Sequence, residues 1–280
     1  LARAWSLPKS LCPSRDGKPL GLSPVSILSH AVSIAVVTGA GSGIGRAIAQ
    51  ELSAQGHEII ILEVDKAAGE ESSALITKAG GVARVIQCDV SQTESVRDAF
   101  DQLESLQILV NNAGVASVGN VEDCSPEEMD RIYEVNVKGM YHCLHFAIPK
   151  MVEAGGGCIV NLASVASYLG ISERFAYSMS KGAVLSMTMS IARDYIDHGI
   201  RSNCVCPGRV HTPFVDGYLA KNYPEEKRPE IFKTLSEWQP IGRMGTPEEI
   251  AGMVGYLTSD KAGFITGSAF EIDGGVTNLR

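Results

Sequence analysis

Val32-Ser33-Ile34-Ala35-Val36-Val37-Thr38-Gly39-Ala40-Gly41-Ser42-Gly43-Ile44-Gly45-Arg46 decides the fold. Its first half, Val32–Thr38, is a largely apolar run, the pattern of a strand covered on both faces and so of a parallel sheet. Its second half is rich in glycine and leads into a helical stretch, Arg46–Gln55, stopped by Gly56. A strand that turns sharply into a helix presents backbone N–H groups and the positive end of a helix, a combination that suits a phosphate. Glycine allows both the tight turn and the close backbone approach. Ile44 stands where a strict G-x-G-x-x-G pattern has glycine. Glycine stands instead at 39, 41, 43 and 45.

The alternation continues along the chain. Strands are predicted at Glu58–Val64, Ala83–Cys88, Gln107–Asn111, Cys158–Ala163 and Arg201–Cys206, with helices at Lys66–Ala79 and Ser178–Asp197. This order implies an α/β fold, a doubly wound, mainly parallel, Rossmann-like sheet in a single domain spanning 32–280. Only 214–240 breaks the rhythm, mixing Phe214, Tyr218, Lys221, Asn222, Tyr223 and Trp238. Residues 1–31 differ from the rest: four prolines, several serines, four basic residues and one acid. They read as a disordered or cloning-derived extension, or as an organelle transit peptide, although the prolines would interrupt an amphipathic helix.

The formal net charge of -8 and the lack of a basic run argue against a nucleic-acid surface. No stretch is long and apolar enough to span a bilayer. Seven cysteines without CxxC spacing suit a reducing compartment, which favours a cytoplasmic location unless residues 1–31 are a transit peptide. Cys204 and Cys206 are expected on opposite faces of a strand, forming neither a disulfide nor a chelate. His142, Cys143 and His145 crowd one helix, but zinc needs further ligands that no spacing supplies, so no metal is expected.

Tyr177 and Lys181, four residues apart, share one face of a helix. A free phenol ionises near pH ~10, and a neighbouring ammonium favours the phenolate and draws that value toward neutrality. The pair therefore reads as a proton-transfer device.

These landmarks resemble the short-chain dehydrogenase/reductase family. The resemblance runs from about Val32 to the C-terminus through Thr38-Gly39-x-x-x-Gly43-x-Gly45, Cys88-Asp89-Val90, Asn111-Asn112-Ala113-Gly114, Asn136, Ser164, Tyr177, Lys181 and Pro207-Gly208. It implies hydride transfer between NAD and a secondary alcohol or ketone. Asn136, Ser164, Tyr177 and Lys181 would form the catalytic set. Tyr177 would exchange the proton, Ser164 would hold the reacting oxygen, Lys181 would lower the tyrosine pKa and grip the nicotinamide ribose, and Asn136 would anchor a proton-carrying water. Cofactor contacts would come from Gly39, Ser42, Gly43, Ile44, Gly45, Glu63, Asp89, Val90, Asn111, Ala113, Gly114, Tyr177, Lys181, Pro207, Gly208, Val210 and Thr212.

Glu63 falls about 20 residues after the glycines, where an acid usually bonds the adenosine ribose hydroxyls. An unpaired carboxylate there repels a 2′-phosphate, so NAD is expected over NADP, with Lys66 as the nearest cation. Asp65 could share that role or cap the following helix.

Within the family, the chain is most similar to hydroxybutyrate-type dehydrogenases and those acting on keto-deoxy sugar acids and deoxy sugars. Substrate contacts would be Ser164, Tyr177 and Arg174, the last three residues before Tyr177 and suited to a carboxylate. The resemblance also implies a homo-oligomer, tetrameric in the family's manner, pairing helices in Met129–Ala147 and Ser178–Asp197 and the segment Phe264–Arg280. A 3-oxoacyl-carrier-protein-type reductase using NADPH, and a non-catalytic dinucleotide-binding sensor or scaffold, are the rival functions.

Overall fold

In the computed structural model, residues 33–279 are described. Val32 and the extension 1–31 lie outside them. The elements run β1 Ile34–Thr38, α1 Gly43–Ala54, β2 Glu58–Glu63, α2 Lys66–Lys78, β3 Ala83–Gln87, α3 Thr93–Phe100 and β4 Ile108–Asn111. They continue as α4 Pro126–Ile132, α5 Gly139–Glu153, β5 Gly157–Leu162, α6 Phe175–Asp194, β6 Ile200–Pro207, α7 Pro213–Asn222, α8 Arg228–Glu237, α9 Pro247–Thr258 and β7 Ala269–Ile272.

The seven strands are all parallel, in the order β3-β2-β1-β4-β5-β6-β7. Strand alternation sends Val36, Ile60, Leu109 and Ile159 into one face, packed by Phe100 of α3, Met151 of α5 and Val184 of α6. Val37, Ile61, Val110 and Val160 enter the other, against Ile48 and Leu52 of α1, Ile76 of α2 and Val254 of α9. Each such Ile or Leu, fully buried, contributes roughly 1.5–3 kcal/mol. The chain reverses its direction of travel across the sheet between β1 and β4, and a crevice opens there beyond the C-terminal strand ends.

Several boundaries move, and two of the shifts matter. α1 begins at Gly43, three residues before the predicted start, so its first turn is made of the glycine-rich segment. α6 begins at Phe175 rather than Ser178, which places Tyr177 in the first helical turn. The irregular segment 214–240 is helical after all, as α7 and α8 joined through a 3-10 turn at Glu225–Lys227. Prolines at the first turns of both helices start them rather than break them.

Cys204 and Cys206 correct an expectation. Side chains two apart on a strand share a face, and both thiols are buried on the side packed by α3, α5 and α6. The six described cysteines are all free thiols.

Candidate active site

A cavity of about 700 Å³ opens at the crevice, lined by the glycine turn, the ends of β2, β4, β5 and β6, and the start of α7. Gly39 holds φ +63°, in the left-handed region that disfavours other residues. A Cβ on Gly45 would stand 2.2 Å from the Gly39 carbonyl oxygen, so the helix can approach the strand only with glycine there. Ser42, the N-cap of α1, makes no side-chain cap bond. The first amides of α1 therefore depend on an outside acceptor.

The turn is clamped from several sides. The Gly41 amide donates to Glu63 Oε2 at 2.8 Å, while Val64 and Asp65 amides donate to Oε1 at 3.0 and 3.3 Å. Glu63 is thus not the unpaired carboxylate expected from the sequence. Arg46 Nε and Ser72 Oγ donate to the Gly41 carbonyl at 3.1 and 3.2 Å. Arg46, held by Glu71 at 2.9 Å, is the cation beside this turn, whereas Lys66 pairs with Glu70. Asp65 Oδ1 accepts from the Ala67 and Ala68 amides, which makes it the cap of α2.

Asn112 is a cavity residue that sequence reading missed. Its Nδ2 donates to the Thr38 carbonyl at 3.0 Å and to Gly39 at 2.9 Å, tying β4 to the glycine turn. Its neighbour Asn111 instead lies buried behind the cavity and donates to Asn161 Oδ1 at 2.8 Å. The pair Asn111-Asn112 carried the signal; strand alternation decides which of the two faces the opening. Asp89 lines the wall and accepts from the Ser91 amide and hydroxyl. Val90, Ala113, Gly114, Pro207, Gly208, Val210 and Thr212 line it too. Thr212 is the N-cap of α7 and makes no cap bond with its hydroxyl.

Ser164, Tyr177 and Lys181 meet at the inner wall. The backbone at Ser164 turns from β5 into a 3-10 turn, and its Oγ accepts from the Ala166 amide at 3.1 Å. Lys181 Nζ lies 5.7 Å from the Tyr177 ring centre and donates to the Leu162 carbonyl at 2.6 Å. Burial draws the Lys181 ammonium down to about 8. Burial also pushes the Tyr177 phenol above its ordinary value, with Ser164 and Arg174 pulling the other way. The expectation that Lys181 brings the phenol down is not met in this geometry, because desolvation outweighs the nearby charges.

Asn136 sits in a π-helical turn, Tyr133–Lys138, and does not line the cavity. Its Oδ1 accepts from the Val115 amide at 2.8 Å, and its Nδ2 donates to the Val115 carbonyl and to Ser180 Oγ. Both polar ends are thus bonded to protein. Arg174 stands at the N-cap of α6, outside the cavity wall, with Nη1 on the Ser117 and Glu173 carbonyls at 3.3 and 3.2 Å. His142 bonds the Val90 carbonyl and Thr93 Oγ1. Among the described residues, no group of three or more His, Cys, Asp or Glu is placed to hold a metal ion.

A family model described as enoyl-(acyl carrier protein) reductase matches residues 39–277. The Xenopus laevis protein named dehydrogenase/reductase SDR family member 6 is 36% identical over 244 residues, 86% of this chain and 96% of that one. The chain belongs to the short-chain dehydrogenase/reductase family. The 2-(S)-hydroxypropyl-CoM dehydrogenase 3 of Xanthobacter autotrophicus is 39% identical over 250 residues, 88% of this chain and 97% of its own. The structure of an actinorhodin polyketide ketoreductase with NADPH superimposes with a TM-score of 0.83 at 30% identity, covering 88% of this chain and 98% of that one. This short-chain family member is thus an oxidoreductase acting on alcohol or ketone groups, with a fold that binds NAD(P). The residues present fit a dinucleotide: the glycine cradle would be filled by a Cβ, and the start of α1 offers amides to a pyrophosphate.

Proposed function

We propose that the chain is an NAD-linked dehydrogenase for a small hydroxy acid or sugar-type secondary alcohol. The observation that carries this reading is the meeting of Ser164, Tyr177 and Lys181 on the cavity into which the start of α1 also opens. A bound nicotinamide supplies the hydride acceptor in oxidation and the donor in reduction. Tyr177 takes the proton from the substrate hydroxyl in oxidation and returns it in reduction. Ser164 donates a hydrogen bond to the same oxygen and steadies charge developing there. Lys181 holds the nicotinamide ribose and, while charged, favours the phenolate. Asn136 acts as a brace, fixing the Val115 loop against α6 through Ser180.

NAD over NADP is favoured by Glu63, whose carboxylate is anchored at the end of β2, beside the glycine turn, and would repel a 2′-phosphate brought near it. A small polar substrate is favoured by the mixed aromatic and polar character of α7 and α8. A cytoplasmic location is favoured by the six free thiols among the described residues, five of them buried. Sugars, sugar acids and hydroxy acids screened for NADH production would test the reading. One of them should give turnover that Tyr177→Phe abolishes while dinucleotide binding persists. Turnover that survives Tyr177→Phe would overturn the assignment.

A further inference from the structure

We propose that His142 is a positioning residue for the adenosine end of the bound dinucleotide: from α5 it ties the cavity wall at Val90 to the start of α3, and so sets the surface on which the adenine lies. The inference rests on reading the cavity as a dinucleotide site with its reacting end at Tyr177. Four successive residues after β3, Cys88, Asp89, Val90 and Ser91, line that cavity. In the sheet order β3 stands four strand intervals from β5, beyond whose end lies Ser164. At about 4.8 Å each, those intervals span roughly 19 Å. A dinucleotide that reacts beside Ser164 and Tyr177, with its pyrophosphate on the start of α1, therefore lays its adenosine against 88–91.

The wall is irregular backbone, so its placement depends on what holds it. At its start the Cys88 amide donates to the Glu63 carbonyl at 2.9 Å. Further on its bonds are local: the Asp89 amide donates to Ser95 Oγ at 3.1 Å, and the Gln92 amide to the Asp89 carbonyl at 3.0 Å. His142, buried in α5, supplies the hold from a distant segment. Its Nδ1 donates to the Val90 carbonyl at 2.9 Å. A carbonyl only accepts, so that nitrogen carries the proton, and Nε2 of the neutral ring accepts from the Thr93 hydroxyl at 3.0 Å. One imidazole thus bonds both ends of the turn from the wall into α3. Gly139, one helical turn earlier on α5, presses on the same spot: a Cβ there would stand 2.8 Å from Val90 Cγ2. His142 is not itself a cavity residue, whereas Val90 is, so it acts on the ligand through Val90.

ADP-ribose, which has the adenosine and pyrophosphate but no nicotinamide, separates this role from a merely structural one. In the full chain, His142→Leu should raise the Kd of NADH and of ADP-ribose by the same factor, about tenfold. The emission of bound NADH at saturation should stay as in the parent, because the nicotinamide end is undisturbed. His142→Asn, whose amide can still donate to the Val90 carbonyl, should recover part of the loss. Thr93→Val removes the other bond and should weaken both ligands about threefold, and Thr93→Ser should restore them. Unchanged NADH affinity in His142→Leu, a loss for NADH that ADP-ribose does not share, or an altered nicotinamide emission would each overturn the proposal. If His142→Leu does not fold, Thr93→Val and Thr93→Ser decide in its place. A parent that binds neither NADH nor ADP-ribose would sink the dinucleotide reading itself; binding in the parent with both variants unaffected would sink only the role of His142.

Discussion

The Glu63 carboxylate accepts a hydrogen bond from the Gly41 amide at 2.8 Å, so the acid that ends β2 is tied to the turn that follows β1. Arg46 grips the carbonyl of the same glycine. One residue without a side chain is held by an anion at its N–H and by a cation at its C=O. A Cβ there would stand 2.7 Å from Glu63 Oε2, so the clamp requires glycine. Glu63 cannot swing aside to admit a phosphate without giving up that bond.

Glu63→Ser should therefore narrow the preference for NAD over NADP. A charge-assisted hydrogen bond contributes about 1.5–3 kcal/mol, which corresponds to roughly tenfold to a hundredfold in the ratio of kcat/KM values. Steady-state kinetics with both cofactors at fixed ionic strength check this. Equal use of the two by the parent chain would mean that Arg46 leaves Glu71 to meet the 2′-phosphate.

Asn112→Ala removes two hydrogen bonds that hold the glycine turn to β4. Carbonyls left without that donor should cost about 1–3 kcal/mol. For a chain of this size that lowers Tm by roughly 2–4 °C per kcal/mol, measurable by calorimetry. The KM for the dinucleotide should rise as well, whereas an unchanged Tm would show that the clamp is dispensable.

The two directions of reaction should differ in their response to pH. Burial keeps the Tyr177 phenol above its ordinary value, so it is protonated near neutrality. Oxidation needs the phenolate, and kcat/KM should climb with pH until Lys181, held down to about 8, begins to lose its charge. Reduction needs the phenol and should stay level across the same interval. Profiles of log kcat/KM in both directions test the sign; faster oxidation at pH 6 than at pH 8 would contradict it.

Association between copies is expected through the surface of α5 and α6. Tyr141 and Met189 are 51% and 47% exposed there, and Phe264 near β7 is fully exposed. Light scattering at micromolar concentration should give a tetramer, and Tyr141→Glu should shift it toward smaller species. A monomeric parent would refute the arrangement.

Much of this architecture was legible in the residues. Apolar runs ending in turns located every strand but β7, and the Gly39–Gly45 spacing located the tight turn from β1 into α1. β7 escaped notice because Ala269–Ile272 is short and only partly buried, so its pattern is weak. The cap of α9 is readable in the residues, since Thr246 and Glu249 form a reciprocal capping box.

By itself the sequence determined what periodicity and local chemistry can encode: the parallel sheet, the turn that must be glycine, and Tyr177 and Lys181 on one helical face. Tertiary structure decided the rest. Only packing could show that Asn112 and not Asn111 faces the cavity, that Glu63 is bonded to Gly41, and that Arg209 stands over Trp238, 29 positions further along the chain. Burial likewise moved Tyr177 and Lys181 away from their ordinary pKa values. These are contacts and desolvations between distant segments, and their energies exist only once the chain has closed on itself.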